Sequence, residues 1–130
     1  MDSKKIIEPT SAELEILCTL WDDQPLTVRE IHDRLKSKRN VGYTTILKIM
    51  QNMVAKGLLT RELKGKSHLY SAIYRKEETQ QGLLNKFLDT AFGGSASSLV
   101  MQLLGNNKTS PRELEDIKKA IEQLEKNKQR

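Results

Sequence analysis

Apolar residues recur at helical spacing through most of the chain, and the polar residues between them mark off short amphipathic segments. In segment 41–59, a helix drawn at about 100° per residue gathers these apolar side chains on one side: Ile46, Ile49, Met50, Met53 and Val54, with Leu47 at the margin. The other side gathers Thr44, Thr45, Lys48 and Asn52. It has one cation and no carboxylate, which suits a helix lying in a DNA groove. A half-buried helix with a solvated polar face is the alternative interpretation.

A shorter amphipathic helix precedes this segment. Thr27 and Glu30 have the spacing of a capping box, and apolar residues follow it at helical spacing at Val28, Ile31 and Leu35. The stretch between the two helices, 36–42, is basic and contains a glycine, so the chain can turn sharply there. Together these features predict a helix-turn-helix.

A β-hairpin is predicted after the polar-faced helix. Gly57 suits the left-handed residue that ends a helix, and strand-like runs follow at 58–63 and 68–74. Gly65 between them suits a tight turn. Four side chains are expected on or near the exposed tip, where they would contact DNA phosphate: Arg61, Lys64, Lys66 and His68. Three helices followed by a hairpin give the winged-helix order.

A first helix is predicted from a second capping box, formed by Thr10 and Glu13. We expect its apolar stripe to consist of Leu14, Leu17, Cys18 and Trp21. Cys18 and Trp21 are therefore expected to be buried. The acids of this helix are expected to face away from DNA, where their only electrostatic task is solubility.

Helices alone are predicted after residue 74. One apolar stripe ends at Gly93 and Gly94, a shorter one ends at Gly105, and the last begins with a cap at Ser110 followed by Pro111. Such short helices make a thin core by themselves, so burial against a second copy of the chain is predicted. The residues expected at that contact are Leu84, Phe87, Leu88, Leu99, Val100, Leu103, Leu114, Ile117, Ile121 and Leu124. A monomer whose last helix packs on its own winged domain is the alternative.

The predicted fold class is therefore mainly α with a small β-hairpin wing. Residues 1–75 are expected to form a winged helix-turn-helix DNA-binding domain, and residues 76–130 a three-helix dimerisation domain. Charge follows this division: residues 1–23 carry a net −4, residues 24–75 a net +8 and residues 76–130 a net +1. The positive excess lies on the helix-turn-helix and wing, as in proteins that displace counterions from a phosphate backbone.

Several motifs resemble those of the penicillinase repressor family, which includes BlaI, MecI and the copper-responsive CopY. They are the segments 26–31, 43–46 with 56–58, and the Gly-Gly-Ser followed by Ser-Leu-Val within 92–100. The resemblance runs from about residue 8 to the C-terminal helix. It implies a dimeric bacterial repressor that binds an inverted-repeat operator, and a sensor or protease that relieves repression.

The chain departs from the family pattern at identifiable places. The family commonly has threonine where this chain has Lys48. In the antibiotic-responsive members an asparagine–phenylalanine bond is cut to release DNA, and the matching pair here is Gln102-Leu103. The cysteine-rich tail of the copper-responsive branch has no counterpart, because Cys18 is the only cysteine.

The predicted function is sequence-specific transcriptional repression by a homodimer. Base or groove contacts are expected from Tyr43, Thr44, Thr45, Lys48 and Asn52, and phosphate contacts from Arg39, Arg61, Lys64, Lys66 and His68. A winged-helix protein-interaction module and an effector-sensing regulator of another winged-helix family are the alternatives. DNA binding that weakens steeply with salt would separate the regulator from the interaction module.

Other classes of protein fit the sequence poorly. His32 and His68 fall on a predicted helix and a predicted strand without a nucleophile or metal-binding group beside them, so neither an enzyme nor a metal site or cofactor is expected. Apolar runs are shorter than the roughly 18 residues of a membrane span, so no membrane insertion is expected. A single cysteine and the absence of a signal-peptide pattern predict a cytoplasmic location.

Overall fold

The computed structural model describes residues 7–129. Helix α1 (Ser11–Asp22) begins at the predicted capping box: the Glu13 amide donates to the Thr10 hydroxyl and the Thr10 amide donates to the Glu13 carboxylate. Its buried hydrophobic residues are Ile16, Leu17 and Leu20. The buried side of α1 therefore shares only Leu17 with the predicted apolar stripe. Cys18 is exposed, so the expectation that it is buried was wrong.

Helices α2 (Val28–Leu35) and α3 (Tyr43–Lys56) form the predicted helix-turn-helix. The Thr27–Glu30 capping box starts α2, with reciprocal hydrogen bonds of 3.1 and 2.9 Å. Helix α3 ends at Gly57, whose φ of +84° is the left-handed conformation that glycine adopts without a steric penalty. The start of α2 and the end of α3 are thus both set by residues at those positions, as predicted.

The wing is the antiparallel pair β1 (Leu59–Lys64) and β2 (Ser67–Ala72). Its two-residue turn begins at Gly65, where φ is +64°, as a primed hairpin turn requires. Leu26, just before α2, forms an isolated bridge with Tyr70 through two backbone hydrogen bonds of 3.1 and 2.8 Å. The wing is thereby held against the start of α2. The second strand ends at Ala72, two residues earlier than predicted at 74.

One hydrophobic core joins these elements. Each helix contributes one apolar stripe, and the buried residues are Ile16, Leu17, Leu20, Leu26, Val28, Ile31, Leu35, Ile46, Met50, Met53, Leu58, Leu59 and Tyr70. Trp21 is half-buried against this cluster, and its indole N–H donates to the Tyr74 carbonyl at 3.1 Å. The mainly helical fold with a hairpin wing was predicted correctly from periodicity and turn residues.

The remaining described residues form three helices, α4 (Lys76–Phe92), α5 (Ala96–Gly105) and α6 (Pro111–Lys128). A first compact unit ends at Leu83 and a second begins at Leu84, so the boundary lies within α4. Ser110 caps α6 by a capping box with Glu113, and Pro111 occupies the first turn, as predicted. Gly105 is the last residue of α5, not the residue after it. The functional division between residues 1–75 and 76–130 stays a prediction.

Candidate nucleic-acid interface

The polar side of α3 is exposed along its whole length. The buried side consists of Ile46, Met50 and Met53, whereas the predicted contact residues Thr44, Thr45, Lys48 and Asn52 are all exposed. Gln51 is exposed on the same side and was not among the predicted contacts. No carboxylate occurs in α3. Apart from Lys48, whose ammonium is cationic, this surface offers neutral hydroxyl and amide groups, the groups that recognise base edges.

The first turn of α3 has backbone N–H groups that no side chain caps. Gly42 is the N-cap residue and makes no side-chain hydrogen bond because it has no side chain. The N-terminal end of a helix carries partial positive charge, and uncapped N–H groups there favour an anion. The start of α3 is therefore electrostatically compatible with a phosphate backbone.

A cleft of about 290 Å³ lies between α3, the start of α2 and the wing; we call it the wing-side cleft. It is lined by Thr27, Val28, Arg29, Tyr43, Leu47, Lys66, Ser67, His68 and Tyr70. Its ionisable side chains belong to arginine, lysine, histidine and tyrosine residues, and none of the lining residues has a carboxylate. The cleft thus adds positive potential along one edge of the polar α3 surface.

Tyr43 lies at this edge and not in the middle of the polar surface. The residue is 37% exposed. The Arg29 guanidinium carbon lies 5.1 Å from the centroid of its ring, and the His32 ring meets that ring edge-on with the two centroids 6.1 Å apart. A nitrogen of His32, Nε2, is 2.9 Å from the Val41 carbonyl oxygen. Tyr43 therefore connects α2 to the start of α3 through ring contacts.

The four predicted wing residues do not share one surface. In the hairpin register Arg61 is opposite Tyr70 and Leu63 is opposite His68, so Arg61 and His68 lie on the same face. Lys64 lies on the other face, and Lys66 is in the turn. Lys66 and His68 line the wing-side cleft, whereas Arg61 and Lys64 do not. Within residues 7–129 none of these four side chains pairs with a carboxylate.

A second cleft, of about 380 Å³, lies on the other edge of α3; we call it the turn-side cleft. Its lining includes Thr45 and Ile49 of α3, Val41 of the preceding turn, and Arg39. Arg39, a predicted phosphate contact, donates from Nε to the Glu15 carboxylate at 2.9 Å. An acid of α1 therefore contacts the predicted interface.

Solubility is not the only electrostatic task of the acids near α1, and that expectation was wrong. Besides the Glu15–Arg39 pair, Asp23 pairs with Arg34 at 2.8 Å. Glu13 is 6% exposed and accepts two hydrogen bonds of 2.8 Å from the Lys56 ammonium. These contacts connect α1 to both helices of the helix-turn-helix.

The pKa of the Glu13 carboxyl is shifted by this environment. Burial raises the pKa, but hydrogen bonds from Lys56 and the Thr10 backbone, together with the charge of Lys56, outweigh burial. The pKa of Glu13 consequently lies below its ordinary value of 4.5. The carboxylate is ionised in the folded protein at neutral pH.

Sequence reasoning missed Arg29 and Gln51. The helical projection contained the signal for Gln51, because it falls beside Lys48 and Thr44 on the polar side of α3. Arg29 had no such signal: its position at the cleft depends on the bridge between Leu26 and Tyr70, which are far apart in sequence. Tertiary pairing, not local pattern, brings Arg29 to the wing-side cleft.

The predicted self-association residues are largely solvent-accessible in the second compact unit. Phe87, Ile121 and Leu124 are each at least half exposed. Four further large side chains of the predicted set are exposed, namely Leu84, Val100, Leu103 and Leu114, while Leu88, Leu99 and Ile117 are half-buried. Helices α5 and α6 contain no buried residue. Seven of the ten predicted self-association residues are therefore exposed in a single copy of the chain.

Two other kinds of site are absent from residues 7–129. No three His, Cys, Asp or Glu side chains are grouped so that they could hold a metal ion. No helix in this part of the chain is long and apolar enough to cross a membrane.

Comparison with known proteins places these features in a family. Residues 9–123 match the family model described as penicillinase repressor. The chain is 25% identical over 115 residues to the transcriptional regulator BlaI of Mycobacterium tuberculosis, covering 87% of this chain and 82% of the relative. It is 23% identical over 120 residues to the penicillinase repressor of Bacillus licheniformis, covering 92% and 94%.

A solved structure is similar to part of the chain. The solution structure of the DNA-binding domain of the repressor BlaI superposes with a TM-score of 0.51 at 22% identity, covering 58% of this chain and 93% of that domain. At that identity the likeness shows a shared fold. Because the family model spans most of the sequence, this chain belongs to the penicillinase repressor family.

Proposed function

We propose that the protein is a transcriptional repressor that binds duplex DNA as a homodimer. The observation that carries this proposal is the exposed, carboxylate-free side of α3, bordered by the cations of the wing-side cleft. Such a surface suits a helix in the major groove with phosphate contacts beside it. Relatives named as transcriptional regulators and penicillinase repressors support the same conclusion.

The residues of the interface have different roles in this proposal. Thr44, Thr45 and Lys48 meet base edges or nearby phosphates, and Asn52 lies further along the groove. The cations of the wing and turn hold the sugar-phosphate backbone: Arg39, Arg61, Lys64 and Lys66, with His68 beside them. Phosphate contacts supply affinity and register, whereas the α3 contacts supply base preference.

The poor burial of the second compact unit supports the proposed dimer. Apolar side chains such as Phe87, Ile121 and Leu124 remain exposed in one copy, and a second copy would remove them from water. Two-fold symmetry then places two copies of α3 on half-sites about one helical turn, or a multiple, apart. The proposed operator is accordingly an inverted repeat, and its occupation blocks RNA polymerase.

Relief of repression by a protease would involve α5. The Gln102-Leu103 pair lies inside this helix, and both residues are exposed. Proteases bind their substrates as extended chain, and extended peptide binding resembles strand addition. A sensor or protease acting at this bond therefore needs α5 to unwind first.

Selection of bound duplexes from a random DNA pool tests the proposal, using the full-length protein at low and at moderate salt. The expected result is a palindromic sequence with a fixed half-site separation and an affinity that falls steeply with salt. Failure to retain any duplex at low salt would overturn the proposal and favour a winged-helix protein-interaction module. Enrichment of a single, non-repeated half-site would contradict the dimeric part alone.

A further inference from the structure

The wing-side cleft contains an arginine that the proposed contacts do not use. We infer that Arg29 binds one backbone phosphate of the DNA across this cleft, and that the Tyr43 ring holds its guanidinium in place. The inference rests on the proposed DNA-binding function and adds to it a contact from α2, outside both the polar side of α3 and the wing.

The position of Arg29 is fixed by backbone pairing. The Leu26–Tyr70 bridge joins the chain just before α2 to strand β2. Arg29 follows Leu26 by three residues and lies in the first turn of α2, and His68 precedes Tyr70 by two strand residues, so both reach the same cleft. Lys66, in the wing turn, completes a set of three basic side chains around it. Three convergent basic groups favour an anion at the cleft.

Arg29 also differs from the other arginines of the helix-turn-helix in its partners. Arg34 pairs with Asp23 and Arg39 pairs with Glu15. Within residues 7–129, Arg29 makes no ion pair, and its described partner is the Tyr43 ring. The neighbouring acid, Glu30, accepts the hydrogen bond of the Thr27 amide in the capping box. The guanidinium donors of Arg29 are thus available for a phosphate.

The contact with Tyr43 explains why an arginine suits this position. The guanidinium is planar and stacks on an aromatic ring while its N–H groups remain free to donate at the edge. A guanidinium can donate two parallel hydrogen bonds to one phosphate, whereas an ammonium acts as a point charge. Lysine at position 29 would retain the charge but lose this geometry. We therefore expect Arg29→Lys to bind less tightly than the unmodified protein.

The test uses the full-length protein and the duplex obtained by selection, in which individual phosphates are replaced by neutral methylphosphonates. Affinity is measured for the unmodified protein, Arg29→Ala and Arg29→Lys over a salt series. Arg34→Ala is the matched control, because Arg34 is on the same helix but is paired with Asp23. Thermal unfolding of each variant checks that the fold is intact.

The expected result has two parts. Arg29→Ala makes the negative slope of log affinity against log salt shallower by about 0.9, the value for one phosphate. It also weakens binding to different DNA sequences by a similar factor. One methylphosphonate position then weakens binding of the unmodified protein but has little further effect on Arg29→Ala. Arg34→Ala leaves both the slope and the position effect unchanged.

The role of the ring is tested separately. Tyr43→Phe retains the ring and is expected to preserve the effect of that one methylphosphonate, whereas Tyr43→Leu is expected to diminish it. Equal loss in both variants would overturn the positioning role and assign the effect to the phenolic hydroxyl.

The outcomes separate this inference from the proposed function. If the unmodified protein binds DNA with a steep salt dependence but Arg29→Ala has the same slope, the inference is wrong and the proposed function stands. If no phosphate position depends on Arg29, the inference is likewise wrong. If the unmodified protein retains no duplex, both are wrong.

Discussion

The Lys56 ammonium lies 2.8 Å from each carboxylate oxygen of Glu13, although the two residues are 43 positions apart. The Glu13 carboxylate also accepts a hydrogen bond from the Thr10 backbone N–H in the capping box of α1. One carboxylate therefore starts α1 and attaches it to the last turn of α3. Because its pKa is lowered in the folded protein, this group makes folding stability depend on pH.

Replacing Glu13 with glutamine is expected to lower the free energy of unfolding at pH 7 by about 1–2 kcal/mol. The glutamine side-chain oxygen can still accept the hydrogen bond from the Thr10 backbone N–H, but the substitution removes the negative charge that pairs with Lys56. This loss of unfolding free energy is smaller than that for a fully buried ion pair, because the Lys56 side chain is 40% exposed and solvent screens its charge. Urea unfolding measured at a series of pH values gives the difference directly.

The pH dependence has a definite sign. A carboxyl with a lowered folded-state pKa contributes its full stability above the ordinary value of 4.5 and loses it as pH falls through the folded-state pKa. The difference between the unmodified protein and Glu13→Gln should therefore shrink below about pH 4.5. Glu30→Gln is the matched control: Glu30 forms the equivalent capping box on α2 but is exposed and pairs with no cation within residues 7–129. A pH-independent difference for Glu13→Gln would contradict the argument.

Replacing Glu15 with glutamine is expected to strengthen DNA binding by about two- to fivefold at low salt, the range for an exposed ion pair. The substitution removes a negative charge from the interface and releases the Arg39 guanidinium, whose Nε is 2.9 Å from the carboxylate. Fluorescence anisotropy with a labelled duplex measures the effect, which should fade as salt increases.

A double-mutant cycle isolates that release from a general charge effect. If Glu15 acts by holding Arg39, the gain from Glu15→Gln should largely vanish in an Arg39→Ala background. An equal gain in both backgrounds would show that Glu15 simply repels the duplex. No change in either background would indicate that the turn-side cleft lies away from DNA.

Much of the first compact unit was predictable because its signals are local. Capping boxes at Thr10 and Thr27 place two helix starts, and Gly57 and Gly65 mark a helix end and a hairpin turn. The exposed side of α3 follows from its periodicity. Each of these depends on residues within a single helix or turn and its immediate flanks.

The arrangement of the clefts could not be predicted in the same way. The Leu26–Tyr70 bridge and the Glu15–Arg39 pair join residues that are distant in sequence, and neither has a local pattern. Cys18 was misplaced for a related reason. A small residue beside Leu17 fits the apolar stripe in projection, but the hydrophobic α1 residues that face the core are Ile16, Leu17 and Leu20, which leaves Cys18 in solvent.

Lys66 and Thr45 should give different kinds of binding defect. Lys66→Ala is expected to weaken binding to all duplexes by a similar factor and to make the negative salt slope shallower by about 0.9, because a phosphate contact carries no base information.

Thr45→Ala is expected to change the preferred base at one position and to leave the salt slope nearly unchanged. Affinities for a set of single-base operator variants, each measured at several salt concentrations, check both. A uniform loss for Thr45→Ala would argue against base recognition by that hydroxyl.

Introducing a charge into the apolar side of α6 is expected to give a monomer. Ile121 is 50% exposed and lies in the stripe of Leu114, Ile117 and Leu124. Ile121→Asp would place a carboxylate in the proposed contact between copies, where its desolvation is unfavourable. Sedimentation at micromolar concentration should then return a 14.9 kDa species in place of the dimer expected for the unmodified protein.

The matched control for this substitution is Gln123→Asp. Gln123 lies on the opposite side of α6 and hydrogen-bonds Asn127, so the same charge there should leave the dimer intact. The monomeric variant should bind the full inverted repeat about 10²- to 10⁴-fold more weakly, because linking two half-site contacts raises the effective concentration of the second. Its affinity for a single half-site should barely change. If Ile121→Asp remained dimeric while Gln123→Asp dissociated, the contact would lie on the other side of α6, and the self-association residues proposed for α6 would be wrong.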